Sequence, residues 1–309
     1  MAGKSTEIRP FGPEAIAVAA ALIRDGQPVA VPTETVYGLA ADATNPRAVT
    51  RIYEAKGRPS FNPLIVHVPD LAAAMRLGSL NAAARALAEQ HWPGPLTLVV
   101  PLAEDSPVAS LVTAGLPTIA LRVPAHPAMR ALLEASGRPL AAPSANASGR
   151  ISPTRADHVL ASLGGRIPLI IDGGASAHGL ESTIIALTGD QPRLLRPGPV
   201  EVPGAVSVTS SSIEAPGMLA SHYAPAKPLR LGATASNAGE WLIGFGDIAG
   251  DVSLSLSGDL AEAAARLFDL LHQADSGPAP AIAVAPIPDA GLGIAINDRL
   301  ARAAAPRDQ

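Results

Sequence analysis

Short β-branched apolar runs alternate with helical stretches through the first two thirds of the chain, and this alternation restricts the fold more than any other feature. Strands are predicted at residues 28–31, 63–68, 96–101, 118–123, 139–142, 167–171, 182–187 and 193–196. Helical spacing predicts helices at 46–55, 81–90, 127–136 and 156–163, after a first one that Glu14 opens and Gly26 caps. The pattern implies an α/β sheet. The later strands follow one another closely, so they are expected to be antiparallel.

Between 199 and 228 the chain changes character. Val202-Pro203-Gly204, residues 206–212 and Ala215-Pro216-Gly217 lack periodicity and are rich in Ser, Pro and Gly, as a linker is. A second α/β unit follows, with strands near 229–231, 242–245, 252–256 and 281–285. Its helix after Asp259 carries Leu260, Ala264, Leu267 and Leu271 at helical spacing. A length of 309 residues suits two bodies, drawn here as 1–199 and 229–309 with 200–228 between them. The tail beyond Arg302 is Ala-rich and is expected to fray.

The net charge of −4 argues against gripping nucleic acid with the whole surface, so any polyanion site must be local. Aromatic residues make up 3%, too few for a multi-base stacking platform. Cysteine is absent, which removes disulfides, thiolate metal sites and cysteine nucleophiles, and suits a cytoplasmic protein. No apolar run reaches the length of a membrane span. Of the basic residues only Lys4, Lys56 and Lys227 are lysine. Lys4 falls at the terminus and Lys227 in a Pro-rich stretch, which singles out Lys56.

Walker A, dinucleotide, zinc-protease and nucleophile-elbow signatures are all missing. Five segments nonetheless place polar groups where a plain sheet protein has no need of them. Pro32-Thr33-Glu34-Thr35-Val36-Tyr37-Gly38-Leu39 follows a strand, where it is either a cap or a ligand-binding strand end. Lys56-Gly57-Arg58-Pro59 ends a helix. Its cations either answer the helix dipole or clamp phosphate oxygens, with Asn62 and His67 following. Arg122 lies inside an apolar strand and requires an anion, from the protein or from a ligand. Ser144 and Asn146 sit in a small-residue loop, followed by Ser152-Pro153-Thr154. Glu181-Ser182-Thr183 and Leu194-Leu195-Arg196-Pro197 set further polar groups at strand ends.

Taken in order, PTETVYGL, KGRP with FNPLIVHV, TIALRVP, PSANASG, ESTII and LLRPG resemble the threonylcarbamoyl-AMP synthase family with its YrdC-like domain. Residues 215–218, 221–225 (SHYAP) and 291–299 (GLGIAINDR) resemble its longer, two-domain form. The resemblance implies a twisted mixed sheet with a concave basic groove, plus a smaller C-terminal Rossmann-like α/β domain. It implies condensation of L-threonine, bicarbonate or CO2 and ATP into L-threonylcarbamoyl-AMP and pyrophosphate. The product would pass to a tRNA threonylcarbamoyl transferase complex.

Residue by residue, the resemblance implies ATP contacts from Lys56, Arg58, Asn62, Thr118, Ser144, Asn146, Ser152 and Arg196, with His222 or Tyr223 closing over the nucleotide. Thr35, His67, Arg122, Ala142 and Ser182 would hold threonine. Lys56, Arg58 and Arg196 would neutralise charge during the reaction, and Mg²⁺ would ride mainly on the phosphates. Arg122 would pair with the threonine carboxylate. Two other readings stand beside this one: a double-stranded RNA or nucleotide-binding module without catalysis, with weak tRNA binding, and a carbamoyl-adenylating transferase.

Overall fold

The computed structural model describes residues 5–189, 191–207, 214–217 and 221–306. Lys4, the 307–309 tail, and residues 208–213 and 218–220 of the expected linker lie outside them. Among the described residues the first sheet has eleven strands. They are β1 (Glu7–Pro10), β2 (Val29–Val31), β3 (Gly38–Asp42), β4 (Ile65–His67), β5 (Leu96–Pro101), β6 (Thr118–Arg122), β7 (Leu140–Ala141), β8 (Leu169–Asp172), β9 (Thr183–Ala186), β10 (Arg193–Arg196) and β11 (Val206–Ser207). They lie in the order β1-β8-β2-β3-β7-β4-β6-β5-β9-β10-β11.

The sheet is mixed. β4 runs parallel to β6 and β5 to β9, whereas β5 and β6 are antiparallel. β9 and β10 are antiparallel, as their close spacing requires. Every predicted strand is present. Three others were not expected: β1 is a charged edge strand ending in Pro10, and β3 is built from Gly38-Leu39-Ala40-Ala41-Asp42, which has no β-branched residue. The third, β11, lies within the expected linker, where Val206 pairs with Arg193 in parallel register.

Among the described residues seven helices accompany this sheet: α1 (Pro13–Arg24), α2 (Pro46–Lys56), α3 (Leu71–Leu77), α4 (Ala82–His91), α5 (Ser110–Thr113), α6 (Pro127–Ser136) and α7 (Ala156–Leu163). Alternation along the strands assigns them to faces. Leu98, Val100, Leu121 and Ile185 point into the core built by α2, α3, α4, α5 and α7. Val29, Val31, Leu140 and Leu169 point the other way, against α1 and α6. Those two helices cover only half of their face. The other half carries Ile65, Val99, Ala120, Ile184, Ala186 and Leu195, and among the described residues Ala215 from beyond β11 packs on this patch. His67, Arg122 and Arg196 stand on the same uncovered half, by the register His67 to Arg122 and Ile184 to Arg196.

The second sheet is all parallel. Its strands β12 (Leu229–Arg230), β13 (Glu240–Gly244), β14 (Val252–Ser253) and β15 (Ala281–Val284) are ordered β12-β15-β13-β14. α8 (Leu260–Ser276) and α9 (Leu292–Ala304) pack together beside it. α9 runs two residues past Arg302, with Leu300 and Ala303 buried in its last turns, so the tail expected to fray begins after Ala304. The predicted α8 stripe is core, and the same cluster reaches Val36, Ile151, Leu180 and Tyr223, joining the second body to loops of the first.

Candidate active site

Strand ends and loops bring Thr35, Arg58, His67, Arg122, Ala142, Ser144, Ser182 and Arg196 around one narrow cavity with about 40 Å³ of free volume. Pro216, Gly217, His222 and Tyr223 cover it, so both residues of the His-Tyr pair line the site. Of the other expected residues, Lys56, Asn62, Asn146 and Ser152 are buried behind the lining, and Thr118 is half-buried at the start of β6. The expected carriers of the site therefore fall into a lining set and a supporting set.

Arg122 has its anion within the protein. Its Nη2 donates to Glu34 Oε1 at 2.5 Å, its Nη1 to Thr35 Oγ1 at 2.9 Å and its Nε to the Gly94 carbonyl at 3.2 Å. Of the two sources expected for that anion, the protein supplies one, Glu34. Burial alone would raise the Glu34 carboxyl, but the Arg122 charge and hydrogen bond overcome that and hold it at about 2. The backbone N–H of His126 donates to its second oxygen. Beside this pair, burial pushes His67 down to about 3, with Arg122 adding to the effect, so its imidazole is neutral.

The expected Lys56 and Arg58 pair divides. Asn45 caps α2 and Gly57 ends it in the left-handed region at φ 60°, turning the two side chains to different partners. Lys56 Nζ donates to the carbonyls of Ser144 and Asn146 at 2.6 and 2.5 Å, stapling the small-residue loop from behind. Burial and the neighbouring Arg58 charge push its pKa well below the usual value. Arg58 instead lines the cavity, its Nη2 donating to the Pro63 carbonyl at 3.0 Å. Arg196 likewise meets neutral groups. Its Nε and Nη2 donate to the Ser182 carbonyl at 3.1 and 2.9 Å, and Nη2 also to Ser182 Oγ at 3.1 Å.

Asn62 Oδ1, Asn146 Oδ1 and His222 Nδ1 are buried with no hydrogen-bond partner, polar atoms of the kind a ligand or water satisfies. Burial, followed by the charges of Arg58, Lys56 and Arg196, keeps His222 neutral. Tyr223 is held with φ 64°, in the left-handed region. Gly217 has φ 86°, and a Cβ there would stand 2.8 Å from the Tyr223 hydroxyl and 3.0 Å from Arg196 Cδ, so glycine lets the covering segment close.

Three participants escaped the reading of the sequence as site residues: Glu34, Glu181 and Arg299. Glu34 lies within PTETVYGL, but its partner is 88 residues away. Arg299 had a visible signal, since it falls on the buried stripe of α9 with Ala295, Ile296, Leu300 and Ala303. A charge in such a stripe requires a buried partner.

Comparison with known proteins gives this architecture its relatives. The family model described as Telomere recombination (Sua5, YciO and YrdC) matches residues 21–198, and the model described as Threonylcarbamoyl-AMP synthase, C-terminal domain, matches residues 183–305. The Bacillus subtilis threonylcarbamoyl-AMP synthase is 42% identical over 94% of this chain and 93% of its own. The chain belongs to the threonylcarbamoyl-AMP synthase family. Among solved members, Pyrococcus abyssi Sua5 complexed with L-threonine is 37% identical, with a TM-score of 0.88 over 97% of both chains. A variant of that protein with neighbouring His and Tyr both changed to Ala superposes equally, at 0.88 and 38% identity over 97% of this chain and 96% of its own. The family's two-domain form thus accounts for both sheets. No helix among the described residues is long and apolar enough to cross a membrane.

Proposed function

We propose that this chain condenses L-threonine with bicarbonate or CO2 and ATP, releasing pyrophosphate and L-threonylcarbamoyl-AMP for threonylcarbamoyladenosine modification of tRNA. The observation that carries the reading is one covered cavity with two unlike ends. At one end Arg122 is already paired with Glu34 beside Thr35 and His67; at the other, Arg58 and Arg196 donate to neutral oxygens, and neither forms an ion pair among the described residues. A zwitterionic amino acid suits the paired end, and a polyphosphate suits the two cations without a direct counter-ion.

In the reaction the neutral threonine amine forms a C–N bond to the carbon of CO2 and releases a proton to water, or to the carbon of bicarbonate with loss of water, giving the carbamate in either case. A carbamate oxygen then attacks the α-phosphorus, and the bond to the pyrophosphate oxygen breaks. The protein's part is positioning and charge neutralisation, with Thr35, His67, Arg122, Ala142 and Ser182 holding threonine, and Arg58 and Arg196 facing the phosphates. Ser144 reaches the nucleotide directly, while Lys56, Asn62, Asn146 and Ser152 hold the loops that meet it, and Thr118 borders that end. Both carboxylates at the cavity, Glu34 and Glu181, are engaged by arginines, and no cluster of His, Asp and Glu suited to a metal occurs among the described residues. Mg²⁺ would come with the nucleotide, held mainly by its phosphates.

Residues 1–199 form the catalytic body and 200–228 the lid, with 229–309 as its support. His222-Tyr223 is the one adjacent His-Tyr in the sequence, which supports matching it to the pair altered in the Pyrococcus abyssi variant. The setting is cytoplasmic, and the product passes to a transferase that acts on tRNA. The test is pyrophosphate release from ATP with each amino acid, with and without bicarbonate. Release that requires both threonine and bicarbonate is expected; release indifferent to either would falsify the reading. RNA affinity that falls steeply with salt, without such release, would put a binding module in its place.

A further inference from the structure

Arg299 is fully buried on α9, outside the first sheet, yet it reaches the cavity wall. Its Nε donates to Glu181 Oε2 at 2.8 Å and its Nη1 to Asp298 Oδ2 at 2.7 Å, while its guanidinium carbon lies 5.4 Å from the centre of the Tyr223 ring. Glu181 lines the cavity, and its other oxygen accepts Ser152 Oγ at 2.5 Å. The residue after it, Ser182, receives Arg196. The Glu181 charge acts on Arg196 without a direct ion pair between them, and both are buried. If its carboxylate turned to pair with Arg196, the nucleotide end would lose a cation that now donates to neutral oxygens.

We propose that Arg299 is a positioning residue of the second domain: it holds the Glu181 carboxylate away from Arg196 and seats Tyr223 over the cavity. This inference rests on the ATP-dependent reading above. The second domain then does more than support a linker. It sets the charge of a site on the first domain through one side chain. Docking of α9 and readiness for ATP become a single event, because Glu181 is restrained on both oxygens only when Arg299 is in place. The backbone supports the coupling, as His222 N–H donates to the Arg302 carbonyl on the same helix at 3.2 Å.

The test compares Arg299→Met, Arg299→Lys and Arg299→Met/Glu181→Gln with the wild-type full chain, reading KM for ATP, KM for threonine and kcat of pyrophosphate release. Folding of each is checked by thermal melting. Arg299→Met is expected to raise KM for ATP by roughly tenfold or more, with a smaller change for threonine, because a buried carboxylate left without its partner seeks another cation. Arg299→Lys should fall between, keeping a charge without the fork. The deciding arm is the double variant, which removes the competing carboxylate and should recover most of the ATP affinity. A role limited to holding the fold predicts no recovery, and that result overturns the proposal. An unchanged KM for ATP in Arg299→Met overturns it as well. Should Arg299→Met fail to fold, Arg299→Lys with and without Glu181→Gln makes the same comparison. Wild type without threonine-dependent release counts against the proposed function itself; active wild type with no recovery counts against the Arg299 role alone.

Discussion

Arg122 and Arg196 stand on the same face of the same sheet, and both are almost wholly buried, at 3% and 4% exposure. Their partners differ. Arg122 has a carboxylate at 2.5 Å, whereas Arg196 has carbonyl and hydroxyl oxygens, with the nearby Glu181 turned to Arg299. A buried cation with a built-in counter-ion is a structural element that also offers fixed donors. One solvated only by dipoles is held ready for an anion. The cavity therefore distinguishes its two ends by charge balance before any shape is considered.

Breaking the balanced end should have the largest effect. Glu34→Gln leaves the Arg122 guanidinium buried without its counter-charge, and we expect a loss of about 3–5 kcal/mol in urea unfolding. Because the Glu34 carboxyl is lowered to about 2 in the folded chain, its contribution is complete above its ordinary value near 4.5. That contribution disappears as the pH falls toward 2. The stability gap between wild type and Glu34→Gln should thus be constant above about pH 5 and close on acidification; a gap that widens with acid would refute the pairing argument.

At the other end, Arg58→Met should lower kcat/KM for ATP by roughly a hundredfold, the scale of losing one charge-stabilising group. It should disturb folding less than Glu34→Gln, since its partners are carbonyls. Equal damage to stability from the two changes would erase the distinction. The smallest effect belongs to the seam between the ends, where Thr97 Oγ1 and Ser182 Oγ share a 2.7 Å hydrogen bond. Thr97→Val should cost about 0.5–1.5 kcal/mol in unfolding, and it should raise KM for threonine without changing the salt dependence of ATP binding.

Much of the frame was legible because it depends on neighbours in sequence. Asn45, Pro46 and Gly57 announce both ends of α2, and Leu96–Pro101 could be little but a strand. β3 was not legible, since its small residues show no strand preference until β2 and β7 flank them. Arg122 could be recognised as needing an anion, but the choice between ligand and Glu34 required the fold to close 88 residues of chain. Lys56 was singled out by its rarity, yet rarity carries no direction. Only the turn at Gly57 reveals that it supports the loop while Arg58 faces the cavity. The link from Arg299 to Glu181, across 118 residues, was legible only as a charge in an apolar stripe.

Tyr223 carries a backbone cost. A tyrosine in the left-handed region is strained by about 1–2 kcal/mol, close to a factor of ten in an equilibrium. Its ring packs on Phe268 of α8 and under the Arg299 guanidinium of α9. The second domain therefore bears the strain that places this ring at the cavity of the first.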